Sequence, residues 1–234
     1  MKRLSSAVLA SALLLLAQGP IEALGLALRA PAPAGAQVAS TPYYPLAVGN
    51  TWHCKVGQNK YTVKVTKFET VGKAGRDGKG VLCARLEMSM NNKPISFEHL
   101  AVFNKALCRF SFGVPPKARG ESEILNLAVP PIPILQVPPK AGGKAWLVES
   151  KVGKQIVKAK FTPCEKEVEV SVPAGSYKNA FSVTSEDLAI NGVDLKLTYY
   201  FVENVGLVKL TIGLEKQQVV FELEKFEKAE AKKE

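Results

Sequence analysis

Lys60-Tyr61-Thr62-Val63-Lys64-Val65-Thr66 alternates polar and apolar side chains, and a period of two is the mark of a β-strand with one buried and one wet face. Val168-Glu169-Val170-Ser171-Val172 and Val219 to Leu223 carry the same pattern. Turn chemistry separates such runs at Gly57 to Asn59, Gly72 to Gly80, Asn91-Asn92, Pro173-Ala174-Gly175 and Asn191-Gly192. The last is a two-residue hairpin signal, because both residue types accept positive φ. Beyond the N-terminus, the spacing predicts about a dozen strands and one candidate short helix, Glu121 to Leu127. The expected class is all-β with little helix.

Working outward, the strand pattern repeats. Pro45-Leu46-Ala47-Val48-Gly49-Asn50-Thr51-Trp52 and Pro139-Lys140-Ala141-Gly142-Gly143-Lys144-Ala145-Trp146 place Pro, Gly and Trp at one internal spacing. Val81 to Gly113 aligns without a gap on Phe181 to Gly213, with Asn104 to Gly113 (NKALCRFSFG) matching Asn204 to Gly213 (NVGLVKLTIG) in polarity and size. We read an internal duplication, with halves of about 43–128 and 139–224 inside a single β domain, 37–224. Each half is a curved antiparallel meander too small to bury its own apolar face, so the two faces are expected to shield one another. The predicted architecture is a strongly bent antiparallel sheet, as a sandwich or a half-barrel. Between the halves, residues 129–143 (VPPIPILQVPPKAGG) hold five prolines, a stiff crossover with apolar Ile132, Ile134, Leu135 and Val137. It is expected to pack on the core or to cover an apolar cavity as a lid.

The chain has 234 residues, 47% hydrophobic and 22% charged, with a formal net charge of +10. This composition fits a folded chain rather than a disordered or fibrous one. Lys2 and Arg3 precede the apolar run Val8 to Ala17, and Ala34-Gly35-Ala36 offers a small-residue cleavage site. Residues 1–36 are therefore expected to be a signal peptide, which implies a secreted or periplasmic protein with no membrane span after cleavage. Removal takes away Lys2, Arg3, Arg29 and Glu22 and leaves a charge of +8. The remaining lysines, among them Lys60, Lys64, Lys67, Lys151, Lys154, Lys158 and Lys160, are dispersed along strands and not interleaved with aromatics, so nucleic acid is not an expected partner. Residues 225–234 (KFEKAEAKKE) read as a charged tail.

Four cysteines, Cys54, Cys83, Cys108 and Cys164, follow the leader, and in an oxidising compartment two disulfides are an open expectation. The turns at Asn91 to Lys93 and Asn104-Lys105 put one strand between Cys83 and Cys108. Two strand spacings are about 9.6 Å, against a limit of about 7 Å between Cα atoms, which disfavours that pair. Cys54–Cys83 with Cys108–Cys164, Cys54–Cys108 with Cys83–Cys164, and four buried free thiols all stay open.

The stretches YYPLAVGNTWHCKV (Tyr43 to Val56), PPIPILQVPPKAGGKAW (Pro130 to Trp146), VSVPAGSYKNAFSV (Val170 to Val183) and YYFVENVGLVKLTI (Tyr199 to Ile212) resemble the successive signatures of an uncharacterised group of bacterial secreted β-sheet proteins. In that group the first reads P-L-x-x-G-N-x-W-x-Y, the third V-P-A-G-x-[YF] and the fourth V-G-L-V-K. Here Cys54 replaces the usual tyrosine, and Asn204 stands where a small residue often precedes Val205-Gly206. The resemblance implies no catalytic residues. It implies a shape similar to the half-barrels of envelope lipoprotein carriers, by analogy of fold only.

The expected function is that of an exported, non-catalytic envelope protein with an interaction or scaffold role, its partner another envelope protein. The alternative is a carrier that holds an apolar or amphiphilic ligand in the concavity of the sheet, with Trp52 and Trp146 in its wall and Ile132, Ile134 and Leu135 over its mouth. An enzyme is not expected. His53 and Cys54 are strand neighbours and point to opposite faces, His99 has no ligand at metal-binding spacing, and no serine sits in a G-x-S-x-G elbow. No cofactor is implied.

Overall fold

Two tight turns show how the residues shape the chain. Asn91 and Asn92 take φ of 51° and 63°, and Asn104 and Lys105 take 50° and 60°. A two-residue turn with both positions left-handed matches the twist of the strands it joins, so each makes a hairpin. The computed structural model describes residues 30–31, 38–72, 80–116, 118, 120–190, 193–214 and 217–230. Its strands are β1 (Ala30–Pro31), β2 (Thr51–Val56), β3 (Asn59–Val71), β4 (Val81–Met90), β5 (Lys93–Phe103), β6 (Ala106–Val114), β7 (Ile124–Gln136), β8 (Trp146–Val152), β9 (Gln155–Pro163), β10 (Val168–Val172), β11 (Gly175–Ile190), β12 (Val193–Val202), β13 (Gly206–Leu214) and β14 (Gln217–Glu227). No helix occurs among the described residues.

Every pairing between these strands is antiparallel, and twelve of them close into a ring in the order β3-β2-β14-β13-β12-β11-β9-β8-β7-β6-β5-β4, with β4 returning to β3. β2 to β7 form one six-strand meander, and β8, β9 and β11 to β14 form another. They join at two seams, β14 on β2 and β7 on β8. The expected open half-barrel is thus a closed barrel, because the two meanders meet along both edges, Glu222↔Lys55 to Glu227↔Thr51 at one seam and Ala128↔Val152 with Val129↔Lys151 at the other. Closure removes the exposed strand edges that an open sheet would leave.

Inside the ring, alternate residues meet. Tyr61, Val65, Leu86, Leu100 and Leu107 from one meander and Val183, Tyr199, Leu210, Ile212 and Leu223 from the other are all buried. The segment 38–50 closes one end, where the Tyr44 ring packs 5.2 Å from that of Trp52 and 6.3 Å from that of Phe201. Gly49, at φ 99°, makes the turn into β2, and Asn50 holds it by donating to the Pro45 carbonyl at 2.8 Å. The Asn50 side-chain oxygen accepts from the amide of Ala229 at 2.8 Å, so the chain enters and leaves the barrel at adjacent points. The outsides of the two meanders differ. β8 and β9 alternate buried and exposed residues, whereas β6 buries both faces along most of its length and β4 does so over Cys83 to Leu86.

Four expectations are corrected. Residues 124–127, expected to be helical, begin β7. Val129 to Gln136, expected as part of a crossover or lid, also belong to β7 and lie in the barrel wall, so only 137–145 connect the meanders. The expected tail begins inside β14, where Phe226 stacks on Trp52 at 5.2 Å. No disulfide forms: all four cysteines are free. The expected leader lies outside the described residues except for Ala30–Pro31, which pair with Thr70 and Glu69 of β3. The turn at Asn191-Gly192, the middle of Gly72 to Gly80 and the tail end at 231–234 also lie outside them.

Proline in a strand interior removes a ladder donor. β7 tolerates Pro130, Pro131 and Pro133 because its ladder with β8 is limited to Ala128↔Val152 and Val129↔Lys151. Beyond those pairs, side chains replace the missing partners. Ser150 Oγ donates to the Pro130 carbonyl at 2.6 Å and Trp146 Nε1 to the Pro133 carbonyl at 3.1 Å.

Candidate functional site

The residues expected to line a ligand cavity are built into the barrel instead. Trp52 is buried, and its indole donates to the Val205 carbonyl at 2.7 Å. A side chain at Gly206 would start 3.2 Å from that indole nitrogen, so the glycine of the fourth signature seats the tryptophan of the first. Trp146 is half-buried and stacks on Phe161 at 5.7 Å. Ile132, Ile134 and Leu135 are 4%, 2% and 0% exposed, which leaves no water-sized space against Leu135. The centre of the barrel is crossed by a polar link: Arg109 of β6 donates to Glu98 of β5 and hydrogen-bonds Tyr199 of β12, nearly opposite in the ring. Burial works against the charge on Arg109, and Glu98 with Tyr199 more than offset it, raising its pKa. Two walls that touch through one hydrogen bond leave little room for a ligand between them.

A second polar cluster lies on the other face of β3 to β6. His99 Nε2 is 2.8 Å from Glu69 Oε2, and His99 Nδ1 is 2.7 Å from Ser111 Oγ. The Glu69 carboxylate can only accept, so Nε2 carries a proton; Nδ1 accepts from the Ser111 hydroxyl when the ring is neutral and donates to it when the ring is charged. Burial would raise the Glu69 pKa, but hydrogen bonds from His99 and Lys67, reinforced by their charge, bring it down to about 2. Arg85 closes the cluster, 3.9 Å from Glu69, bonded to Glu87 at 2.7 Å and forked onto Glu123, with its guanidinium 3.7 Å above the Phe97 ring. The order Glu–His–Ser is that of a hydrolase relay, but His99 and Ser111 are both 0% exposed. A nucleophile must reach its substrate; this one is enclosed, and the network ties four strands together.

Three of the four cysteines are poor nucleophiles as well. Burial, with Glu224 adding to it, pushes the Cys54 thiol up to about 12. Burial pushes Cys108 up to about 12 and Cys83 higher still, the latter with a contribution from Cys108. Thiols held protonated are inert. His53 lies 3.3 Å from Glu227 on the outside of the barrel, apart from His99. Among the described residues, no three His, Cys, Asp or Glu side chains converge as a metal site would need.

Among the described residues, one accessible cleft, of about 390 Å³, is lined by Tyr43, Glu167, Ser176, Tyr177, Lys178, Asn179, Val202 and Glu203. Three sequence stretches that carry the quoted signatures meet there. Tyr43 precedes Pro45-Leu46, Ser176 and Tyr177 follow the hairpin at Pro173-Ala174-Gly175, Val202 ends β12 and Glu203 begins the turn after it. Gly175, at φ 139°, makes that hairpin, and the Ala174 amide anchors it by donating to the Leu223 carbonyl at 2.9 Å. At the other side, Asn204 donates through its amide to the Pro42 carbonyl at 2.8 Å, which fixes Glu203 beside Tyr43. Burial, then Glu203 and Glu167, raises the Tyr43 phenol pKa, so it remains a hydrogen-bond donor. The lining offers hydroxyl, amide and ammonium donors beside two carboxylates, and no His or Cys. Such a set binds polar groups. Sequence reasoning did not find this cleft: the signatures that supply it lie far apart in the chain, and nothing in any one of them shows that they meet.

No family model matches the chain, and no curated protein matches it. Two solved structures are similar in shape. One is a "putative lipoprotein" from Parabacteroides distasonis, 13% identical with a TM-score of 0.46, the match covering 82% of this chain and 100% of that one. The other is a "putative exported protein with YmcC-like fold" from Bacteroides fragilis, 12% identical with a TM-score of 0.43, covering 81% of this chain and 100% of that one. At that level of likeness nothing of either protein's role passes to this chain.

Proposed function

We propose that this is an exported, non-catalytic interaction module that works through its outside, with the polar cleft at Tyr43, Tyr177 and Glu203 as the contact site for an envelope partner. One observation carries the reading: the barrel walls are joined across the centre by the hydrogen bond between Arg109 and Tyr199. Carriage of an apolar ligand needs an enclosed apolar volume of several hundred Å³, and Leu135, Ile134 and Trp52 are packed against protein on all sides. Export is supported by the basic start, apolar run and small-residue site of residues 1–36. The enclosed Ser111–His99–Glu69 relay and the protonated thiols support a role without catalysis.

Delipidated protein titrated with a fluorescent fatty-acyl probe tests this directly. The expected result is no saturable uptake and no rise in Tm. Stoichiometric uptake, abolished by narrowing the interior with Ile134→Trp, would overturn the reading in favour of a carrier.

A further inference from the structure

Among the described residues, four large apolar side chains stand exposed, Val48, Val129, Leu147 and Ile156. Three of them share one outer face. In the β8–β9 hairpin the outward rows are Leu147↔Lys160, Glu149↔Lys158 and Lys151↔Ile156, and Val129 of β7 lies beside Lys151. Leu147 is 81% exposed, Val129 63% and Ile156 59%. Lys154 occupies the turn of the hairpin, and Lys144 and Ala145 lead into it, Lys144 fully on the surface. Glu149 pairs with Lys158 at 3.1 Å and Glu186 with Lys160 at 3.3 Å, while Lys151 has no ion pair among the described residues. The face therefore alternates protruding apolar side chains with an excess of lysine.

We infer that this face docks the protein on an anionic lipid surface, with Leu147, Ile156 and Val129 entering the headgroup layer and Lys144, Lys151, Lys154, Lys158 and Lys160 meeting its phosphates. The inference rests on the reading that the protein acts through its exterior. The spacing decides between a lipid and a protein occupant. Leu147 and Ile156 are about 14 Å apart, from four residues of strand rise and one strand spacing, with the Glu149–Lys158 row between them. A protein interface concentrates its apolar residues in a contiguous core from which lysine is depleted. A headgroup layer accepts separated apolar side chains and draws lysines between them. The face does not cross the bilayer: a spanning barrel shows lipid an uncharged apolar band and keeps polar groups inside, and here charged rows face out from a packed core.

Co-sedimentation of the protein, purified in its exported form, with vesicles of phosphatidylglycerol and phosphatidylcholine tests the inference. Binding is expected to the mixed vesicles, weak binding to phosphatidylcholine alone, and loss in high salt, where charges more than about 3 Å apart are screened at 1 M. Lys151→Gln with Lys158→Gln should weaken binding about five-fold per lysine removed. Leu147→Ser with Ile156→Ser should weaken it about ten-fold or more, since each buries apolar area only on docking. Lys196→Gln, an exposed lysine on β12, should leave it unchanged. All five positions are solvent-exposed, so folding should survive, which far-ultraviolet circular dichroism checks. Wild-type protein that ignores anionic vesicles, as it would if a protein partner covers this face, overturns the inference. So does a Lys196→Gln loss equal to that of the hairpin variants, which would make the attraction one of net charge alone. Neither outcome alters acyl-probe uptake, so failure here is separable from failure of the functional reading.

Discussion

Phe97 lies across the backbone of Gly113, and a Cβ built at 113 would fall 2.0 Å from its ring. The ring is fixed from above by Arg85 and is itself buried, so it has nowhere to retreat. Gly113→Ala is expected to destabilise the protein by about 1–3 kcal/mol through overpacking. Gly213, the aligned residue of the other meander, meets nothing closer than Lys196 Cβ at 3.5 Å, an ordinary contact. Gly213→Ala is expected to be neutral or to stabilise by up to about 1 kcal/mol, by lowering the freedom of the unfolded chain. Denaturant unfolding of the two variants side by side checks this, and equal losses would contradict the placement of Phe97. The sequence alignment pairs these glycines, but what each position tolerates is illegible in it, because the ring that excludes a side chain at 113 comes from the neighbouring strand.

At the scale of elements, the β7–β8 seam departs most from what the sequence announced. Proline demotes a predicted strand, so residues 129–143 read as a crossover, yet eight of them line the wall. The reason is the partner: β8 requires only two residue pairs from β7, and two side chains contributed from 13 and 20 positions away supply the remaining donors. Local pattern cannot reveal a hydrogen bond made by a distant side chain. Ser150 is 1% exposed, and Ser150→Ala leaves the Pro130 carbonyl without its donor at a cost of about 1–2 kcal/mol. Trp146→Phe keeps a ring beside Phe161 but removes the donor to Pro133, with a loss of similar size. Thermal unfolding should show both losses, and hydrogen exchange should show the amides of Lys151 and Val152 opening faster than those of β12 and β13. Unchanged exchange would mean the ladder alone holds the seam.

For the molecule as a whole, strand type was legible because alternation is local, and closure was not, because two seams decide it. β14 with β2 and β7 with β8 each depend on register between meander edges that only the assembled ring brings together. The same holds for the cleft and for the Glu69–His99–Ser111 cluster, each assembled from three or more separated segments. The hairpin geometry behind the cysteine argument does appear, with Ala101 opposite Cys108, while the disulfides left open from it do not. Cys54, Cys83 and Cys108 sit in β2, β4 and β6 with raised pKa values, so alkylation of all three is expected only as the barrel unfolds, with coincident rates. Cys164, half-buried beyond the end of β9, should react first in the native state. Mass spectrometry of a timed iodoacetamide reaction separates these cases; early labelling of Cys83 would imply a wall that opens on its own.

The hydrogen bond between Ala229 and Asn50 also has an architectural consequence. Because the polypeptide begins and finishes its circuit at one pole, a short splice there would give an endless ribbon, and the backbone could be recut at an outlying bend such as Gly153-Lys154.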